Sequence, residues 1–191
     1  MITLSEVAAD ANTSLTPRPL PQRIVLVGFM GAGKSTAGRL LAQLLGWNFI
    51  DTDTLIEERF ETTISAMFAA EGEQVFRRRE SAALARALGE QQVVIAVGGG
   101  APEVLTNRLL LEQTPGTAVV FLEASFALLF DRCVLQEGAL LRPVLADAGA
   151  AASRFAARLP FYRRCSQHQI STERLDPEQT AAAILRQLSL S

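Results

Sequence analysis

Ile24-Val25-Leu26-Val27-Gly28-Phe29-Met30-Gly31-Ala32-Gly33-Lys34-Ser35-Thr36 runs from a short apolar segment rich in β-branched residues into a glycine-rich loop closed by lysine and hydroxyls. Four apolar residues without alternation fit a strand buried on both faces of a parallel sheet. Beyond the loop, Ala37, Leu40, Leu41, Leu44 and Leu45 recur at the spacing of one helical face, and Gly46 follows as a C-terminal cap. With strand and helix on either side, the pattern G-x-x-x-x-G-K-[ST] at 28–35 reads as a phosphate-binding loop (P-loop) instead of an ordinary glycine-rich turn. Glycines 28, 31 and 33 permit close approaches that a β-carbon blocks, so successive N–H groups turn toward phosphate oxygens. The helix N-terminus adds the positive end of its dipole.

Lys34 is the only lysine in the chain; every other basic side chain is arginine. A lone lysine at this position fits a site that needs a compact, flexible ammonium at the β- and γ-phosphates. Ser35 supplies a hydroxyl suited to Mg²⁺ held between the same phosphates. The first expectation is therefore a nucleotide with its metal.

A chain of 191 residues, 49% hydrophobic and 20% charged, suits one soluble α/β domain with a sizeable core. No apolar run reaches the length of a membrane span. The N-terminal stretch lacks the apolar core of a signal peptide and carries Glu6 and Asp10, so a cytoplasmic protein is expected, with no membrane partner. A formal charge of −2 argues against a broad nucleic-acid surface. Cys133 and Cys165 have neither metal-ligand spacing nor a disulfide framework and read as reduced thiols. The single histidine, His168, has no catalytic partner in sequence and reads as structural or exposed.

Residues 1–22 form an expected leader, polar and closed by Pro17, Pro19 and Pro21, and residues 23–191 the domain. Along the domain, strands are expected at 24–27, 47–50, 92–97, 117–122 and 167–171. Helices are expected after the P-loop, near 54–60, 63–70, 73–88, 103–112, from Ser125 to about 132, and over 148–158 and 177–188. Strand and helix alternate, as a three-layer P-loop architecture with a five-stranded parallel sheet flanked by helices requires. Residues 134–146 lose periodicity, with Gly138 and Pro143 as breakers, and are the expected mobile lid.

Ligands of such sheets bind beyond the carboxyl ends of the strands. Asp51 and Asp53 follow the second strand directly, and a spacing of two puts both carboxylates on one side of an extended chain, roughly 6–7 Å apart. One carboxylate can then act on metal-bound water and the other on a substrate hydroxyl; Asp-Thr-Asp is equally a turn and helix-capping sequence. In Arg77-Arg78-Arg79 neighbours diverge by about 100° on a helix. Arg77 shares a face with Leu84 and Leu88 and points inward, where either an anionic ligand or an internal salt bridge must meet it; Arg79 aligns with Arg86 and reads as solvated. Gly98-Gly99-Gly100, after the third strand, reads either as bare backbone against a ligand or as a tight turn. Arg142 and Arg158 read, taken singly, as surface arginines.

Six ordered segments together resemble the shikimate kinase family over nearly all of 23–188: Gly28-Phe-Met-Gly-Ala-Gly-Lys-Ser-Thr36, Phe49-Ile-Asp51-Thr-Asp53, Gly72-Glu-Gln-Val-Phe76-Arg77, Gly98-Gly-Gly100, Leu141-Arg142-Pro-Val-Leu145 and Arg158-Leu-Pro-Phe-Tyr162. The resemblance implies ATP-dependent phosphorylation of the 3-hydroxyl of shikimate, with Mg²⁺; a self-contained architecture makes a monomer the expectation. It implies that Asp53 meets the reacting hydroxyl, that Arg77 and Arg158 clamp the substrate carboxylate, and that Gly99 and Gly100 line the ring. Gly31, Ala32, Gly33, Lys34, Ser35 and Thr36 would hold the phosphates, Ser35 and Asp51 the metal, and Arg142 would reach the phosphates from the lid. Arg132 would stack on adenine, with Arg174 and Pro177 at its border. Lys34, Asp53 and Arg142 would carry the catalysis. Two departures are local: the segment from Arg132 to Arg142 is slightly long, and Leu175 stands where a polar or basic residue is expected. The alternatives are another small-molecule P-loop kinase, such as one acting on gluconate, and a non-catalytic shikimate sensor.

Overall fold

The computed structural model describes residues 21–135 and 147–189. Five strands and seven helices follow one another in the expected alternation: β1 (Arg23–Val27), α1 (Lys34–Leu45), β2 (Asn48–Asp51), α2 (Thr52–Phe60), α3 (Ile64–Leu88), β3 (Val93–Ala96), a 3₁₀ turn (Ala101–Glu103), α4 (Leu105–Gln113), β4 (Thr117–Glu123), α5 (Phe126–Val134), α6 (Ala148–Cys165), β5 (His168–Ser171) and α7 (Pro177–Gln187). The strands form one parallel sheet in the order β2-β3-β1-β4-β5. The order reverses direction at β1, and the crevice outside its carboxyl end is where such sheets bind ligands. The glycine-rich loop leaves β1 at that point.

All five residues of β1 are buried, Arg23 included. A buried guanidinium needs acceptors, and it donates to the carbonyls of Glu90 (2.9 Å) and Pro115 (2.7 Å) at the opposite end of the sheet from the loop. The central strand is thereby fastened where no ligand binds.

α1 buries Ala37, Gly38, Leu41 and Ala42, while Leu44, expected on the inner face, is 64% exposed. The helix is rotated toward its smaller side chains because Gly38 lets it lie on the Phe49 ring; a β-carbon there would stand 2.6 Å from the ring edge. α3 turns sharply at Gly72 (φ 80°, ψ 169°), which divides it as the sequence suggested. α2 and both halves of α3 share a small core of Ile56, Met67, Phe76 and Ala83, apart from the main core built on the sheet.

α6 does not stop near Arg158 but continues through Pro160 to Cys165. Proline lacks an N–H and frees the carbonyl four residues earlier, yet Ala156 and Pro160 both lie on the exposed side, where water satisfies that carbonyl. The buried side carries Ala151, Arg158, Tyr162 and Cys165, spaced as one helical face. Burial of that face outweighs the break.

α5 likewise runs to Val134, two residues beyond its expected end. The rest of the expected lid, with Arg142, lies outside the described residues, as do the first twenty residues of the expected leader. Gln22 is already hydrogen-bonded to Gly116 and Gln92. Both cysteines are buried and neither is in a disulfide, and burial pushes the Cys165 thiol up to about 11. Among the described residues no helix is long and apolar enough to cross a membrane.

Candidate active site

The loop after β1 is braced from α5. Gly31 sits at φ 77°, and a β-carbon there would run into the Leu129 carbonyl and stand 2.9 Å from the Cys133 sulfur, so glycine is required twice over. Gly33 caps α1 in the left-handed conformation, Ala32 is buried, and Thr36 is exposed on the first turn of the helix. The Lys34 ammonium folds back to donate to the carbonyls of Gly28 (2.9 Å) and Phe29 (3.1 Å). Burial lowers its pKa, against the pull of Asp53 and Asp51.

Asp51 caps a helix, as its sequence allowed, and also reaches Ser35. One carboxylate oxygen caps α2 by accepting from the backbone of Asp53 (3.0 Å), and the other accepts from the Ser35 hydroxyl at 2.5 Å. A hydroxyl and a carboxylate side by side are the hard oxygen donors that Mg²⁺ takes together with phosphate oxygens and water. Among the described residues no cluster of three or more metal-ligating side chains exists, so this pair fits a metal that arrives on phosphates rather than one caged by protein.

Asp53 lies between that pair and a row of charges from α3. Its Oδ1 is buried without a hydrogen-bond partner. It meets Glu80 over Gly98: a β-carbon on Gly98 would stand 2.6 Å from Asp53 Oδ1 and 2.6 Å from Glu80 Oε1. The Gly98 N–H donates to the Thr52 hydroxyl (3.1 Å), which fixes the bare backbone against the aspartate. Burial first, then Asp51 and Glu80, raise the Asp53 pKa to about 6, and Lys34 offsets part of that rise. An unpartnered carboxylate titrating near neutrality suits a proton acceptor.

Arg77 donates from Nη1 to the buried Glu80 (2.7 Å) and from Nη2 to the exposed Glu73 (3.0 Å). It therefore has the internal salt bridge, its Nε also donating to Glu73 (3.2 Å), and its guanidinium lies against Gly100, where any β-carbon would collide with it. Burial works against the charge on Arg77, but Glu80 outweighs it and holds the pKa up; burial in turn raises that of Glu80. Arg158, on α6, donates through Nε to Glu103 and lies 5.9 Å from the Phe29 ring centroid. Four residues on, Tyr162 donates its hydroxyl to the Gly99 carbonyl at 2.6 Å, and burial pushes its pKa upward. Asp53, Arg77, Gly99, Gly100 and Arg158 are thus brought together. Arg79 is not solvated as expected: it pairs with both oxygens of Glu71 (2.9 and 2.7 Å) and stacks 4.0 Å from the Phe60 ring centroid, because the turn at Gly72 swings Glu71 back alongside it.

Arg132 donates to the hydroxyl and carbonyl of Thr172 (3.1 and 2.8 Å), which ties α5 to the loop after β5. Arg174 is exposed in that loop, and Pro177 opens α7 behind a reciprocal Asp176–Gln179 cap. Arg132, Arg174 and Pro177 therefore gather at one edge of the sheet, apart from Asp53. A cavity of about 310 Å³ lined by Glu123, Ser125, Phe155 and Glu173 opens beside β4 and β5, and none of the candidate residues lines it.

Glu80, Glu103, Tyr162 and Thr52 were not singled out from sequence. Glu80 was findable, since a glutamate three residues after an inward arginine shares its helix face. Tyr162 was findable by the same rule from Arg158, had α6 been continued past Pro160. Glu103 and Thr52 carry no local signal.

Known proteins similar to this chain identify its family. The shikimate kinase family model matches residues 30–189. The shikimate kinase of Symbiobacterium thermophilum is 43% identical over 168 residues, covering 86% of this chain and 95% of its own. The solved shikimate kinase from Acinetobacter baumannii in complex with shikimate superposes with a TM-score of 0.80 at 36% identity, over 88% of this chain and 92% of that one. A gluconokinase from Sinorhizobium meliloti, at 20% identity and a TM-score of 0.57, shares the fold alone. A phosphate loop, an unpartnered aspartate and two inward arginines, carried in a sequence alike from residue 30 to the last helix, leave one assignment: the chain belongs to the shikimate kinase family.

Proposed function

We propose that this chain transfers the γ-phosphoryl group of ATP to the 3-hydroxyl of shikimate, giving shikimate 3-phosphate and ADP. The observation that carries the reading is Asp53, a buried carboxylate with a raised pKa and an unpartnered oxygen, between the P-loop lysine and two arginines. Arg77 and Arg158 read a planar carboxylate through paired N–H groups, which fits a hydroxylated acid. The bare backbone of Gly99 and Gly100 lets a flat ring lie against it, and Tyr162 holds that backbone still.

Phosphoryl transfer passes through a loose transition state, so positioning and charge stabilisation dominate. Lys34 leaves its two loop carbonyls for the β- and γ-phosphate oxygens. Ser35 and Asp51 would hold Mg²⁺, which would supply positive charge to offset that of the phosphates. Asp53 aims the hydroxyl at the γ-phosphorus and takes its proton as the new P–O bond forms and the bond to the ADP oxygen breaks. Arg132 stacks on the adenine, with Arg174 and Pro177 at its border; Arg142, expected at the phosphates, lies outside the described residues. The enzyme acts as a cytoplasmic monomer. A coupled assay of ADP release tests the reading: release should need shikimate and stay near background with gluconate. ADP release that is independent of shikimate, or shikimate and ATP binding without turnover, would overturn it.

A further inference from the structure

We infer that Glu103 is a positioning residue for acceptor binding: it holds Arg158 by its Nε edge so that the terminal nitrogens are presented to the substrate carboxylate. The inference rests on the reading of Arg158 as half of the carboxylate clamp. A guanidinium has one N–H at Nε and four at the fork, and a carboxylate is best read by two of them in parallel. Glu103 takes Nε. The fork lies toward the triple glycine, beside the Tyr162 hydroxyl with which the guanidinium also interacts, and Nη1 is 3.7 Å from where a β-carbon on Gly99 would stand. The Phe29 ring closes one side of the guanidinium.

Glu103 is itself held in place. It ends the 3₁₀ turn that follows Gly98–Gly100 directly. Its N–H donates to the Gly100 carbonyl (2.9 Å), and the Arg108 guanidinium caps the carbonyls of Pro102 (2.6 Å) and Glu103 (2.9 Å). The turn that supplies bare backbone for the ring therefore also supplies the carboxylate that aims the arginine. Tyr162 stitches the same turn to α6 at a second point, one helical turn from Arg158. An arginine side chain has many rotamers, and fixing one before the substrate arrives removes that cost from binding.

The opposite role is also physically open. The Glu103 side chain is 37% exposed, and its negative charge repels an incoming carboxylate, so it could compete for Arg158 instead of aiming it. The two roles give KM changes of opposite sign. Steady-state constants for shikimate and ATP should be measured for Glu103→Ala, Glu103→Gln, Arg158→Ala and the double alanine variant. Positioning predicts that Glu103→Ala raises the shikimate KM roughly tenfold with kcat and the ATP KM within about twofold. Glu103→Gln, whose amide oxygen still accepts from Nε, should recover most of that loss. In the Arg158→Ala background, Glu103→Ala should have no further effect. A shikimate KM that falls in both Glu103 variants makes Glu103 a competitor and overturns the inference, as does a KM that does not change. If Arg158→Ala leaves the shikimate KM unmoved, the clamp reading fails with it; if Arg158→Ala raises KM while Glu103→Ala is silent, only the positioning role fails.

Discussion

The phosphate end and the acceptor end of the site are built by different means. Between Gly28 and Ser35 the proposed phosphate contacts come from eight consecutive residues, most of them backbone, in a loop braced by α5. Around Asp53 they are charged side chains drawn from α2, α3, the turn after β3, and α6. α2 and α3 share a small core of their own. Backbone recognition is generic to phosphate and survives in one contiguous motif, whereas recognition of a particular acid needs side chains that only folding assembles. The difference predicts that acceptor-end mutations separate chemistry, affinity and stability, which the phosphate end, being one loop, cannot do.

The largest effect belongs to Asp53. Asp53→Asn should lower kcat roughly 10²- to 10⁴-fold while leaving ATP affinity within about threefold. In the unaltered enzyme kcat/KM for shikimate should fall tenfold per pH unit below about 6, where Asp53 takes up its proton. A pH profile of kcat/KM for shikimate checks this, and a flat profile from 5 to 8 would separate Asp53 from the proton transfer.

Arg77 should show the second effect, on affinity and stability together. Arg77→Ala leaves Glu80 buried beside Asp53 without its partner, so we expect a shikimate KM about 10- to 100-fold higher and a stability loss of about 3–5 kcal/mol. Adding Glu80→Gln should restore most of the stability and none of the affinity. Chemical denaturation alongside KM measurements resolves the two, and parallel recovery of both would mean that Arg77 is only structural.

The smallest effect runs the other way. The Asp53 pKa is raised above its unfolded value, so the native state binds the proton more tightly, and its contribution favours folding below the unfolded pKa and is lost as pH rises through about 6. Asp53→Asn should therefore stabilise the ligand-free protein by roughly 1–2 kcal/mol at pH 7.5, with the gain vanishing toward pH 4. Melting curves at the two pH values test the sign.

The same contrast governs what could be read in the chain beforehand. The sheet was legible because its strands are unbroken apolar runs such as Ile24–Val27 and Val93–Ala96. The P-loop was legible because its chemistry is local. α6 was cut short because Pro160 is a strong local signal, and the face carrying Arg158, Tyr162 and Cys165 that overrides it is recognised only once the helix is assumed to continue. Arg79 was misread because the turn at Gly72, not helical periodicity, decides which acid it meets. Arg77 and Asp53 were found by position, but their coupling through Glu80 over Gly98 joins residues distant in sequence, and no spacing announces it.

Lys34 rests on the carbonyls of Gly28 and Phe29, and the chain has no other lysine. For anyone handling the protein this has a practical result: apart from the N-terminus, the only primary amine available to an acylating dye, a cross-linker or a coupling resin is in the nucleotide site. Labelling at that amine thus reports on the loop itself, and carboxyl chemistry is the safer route for immobilisation, since both cysteines are buried.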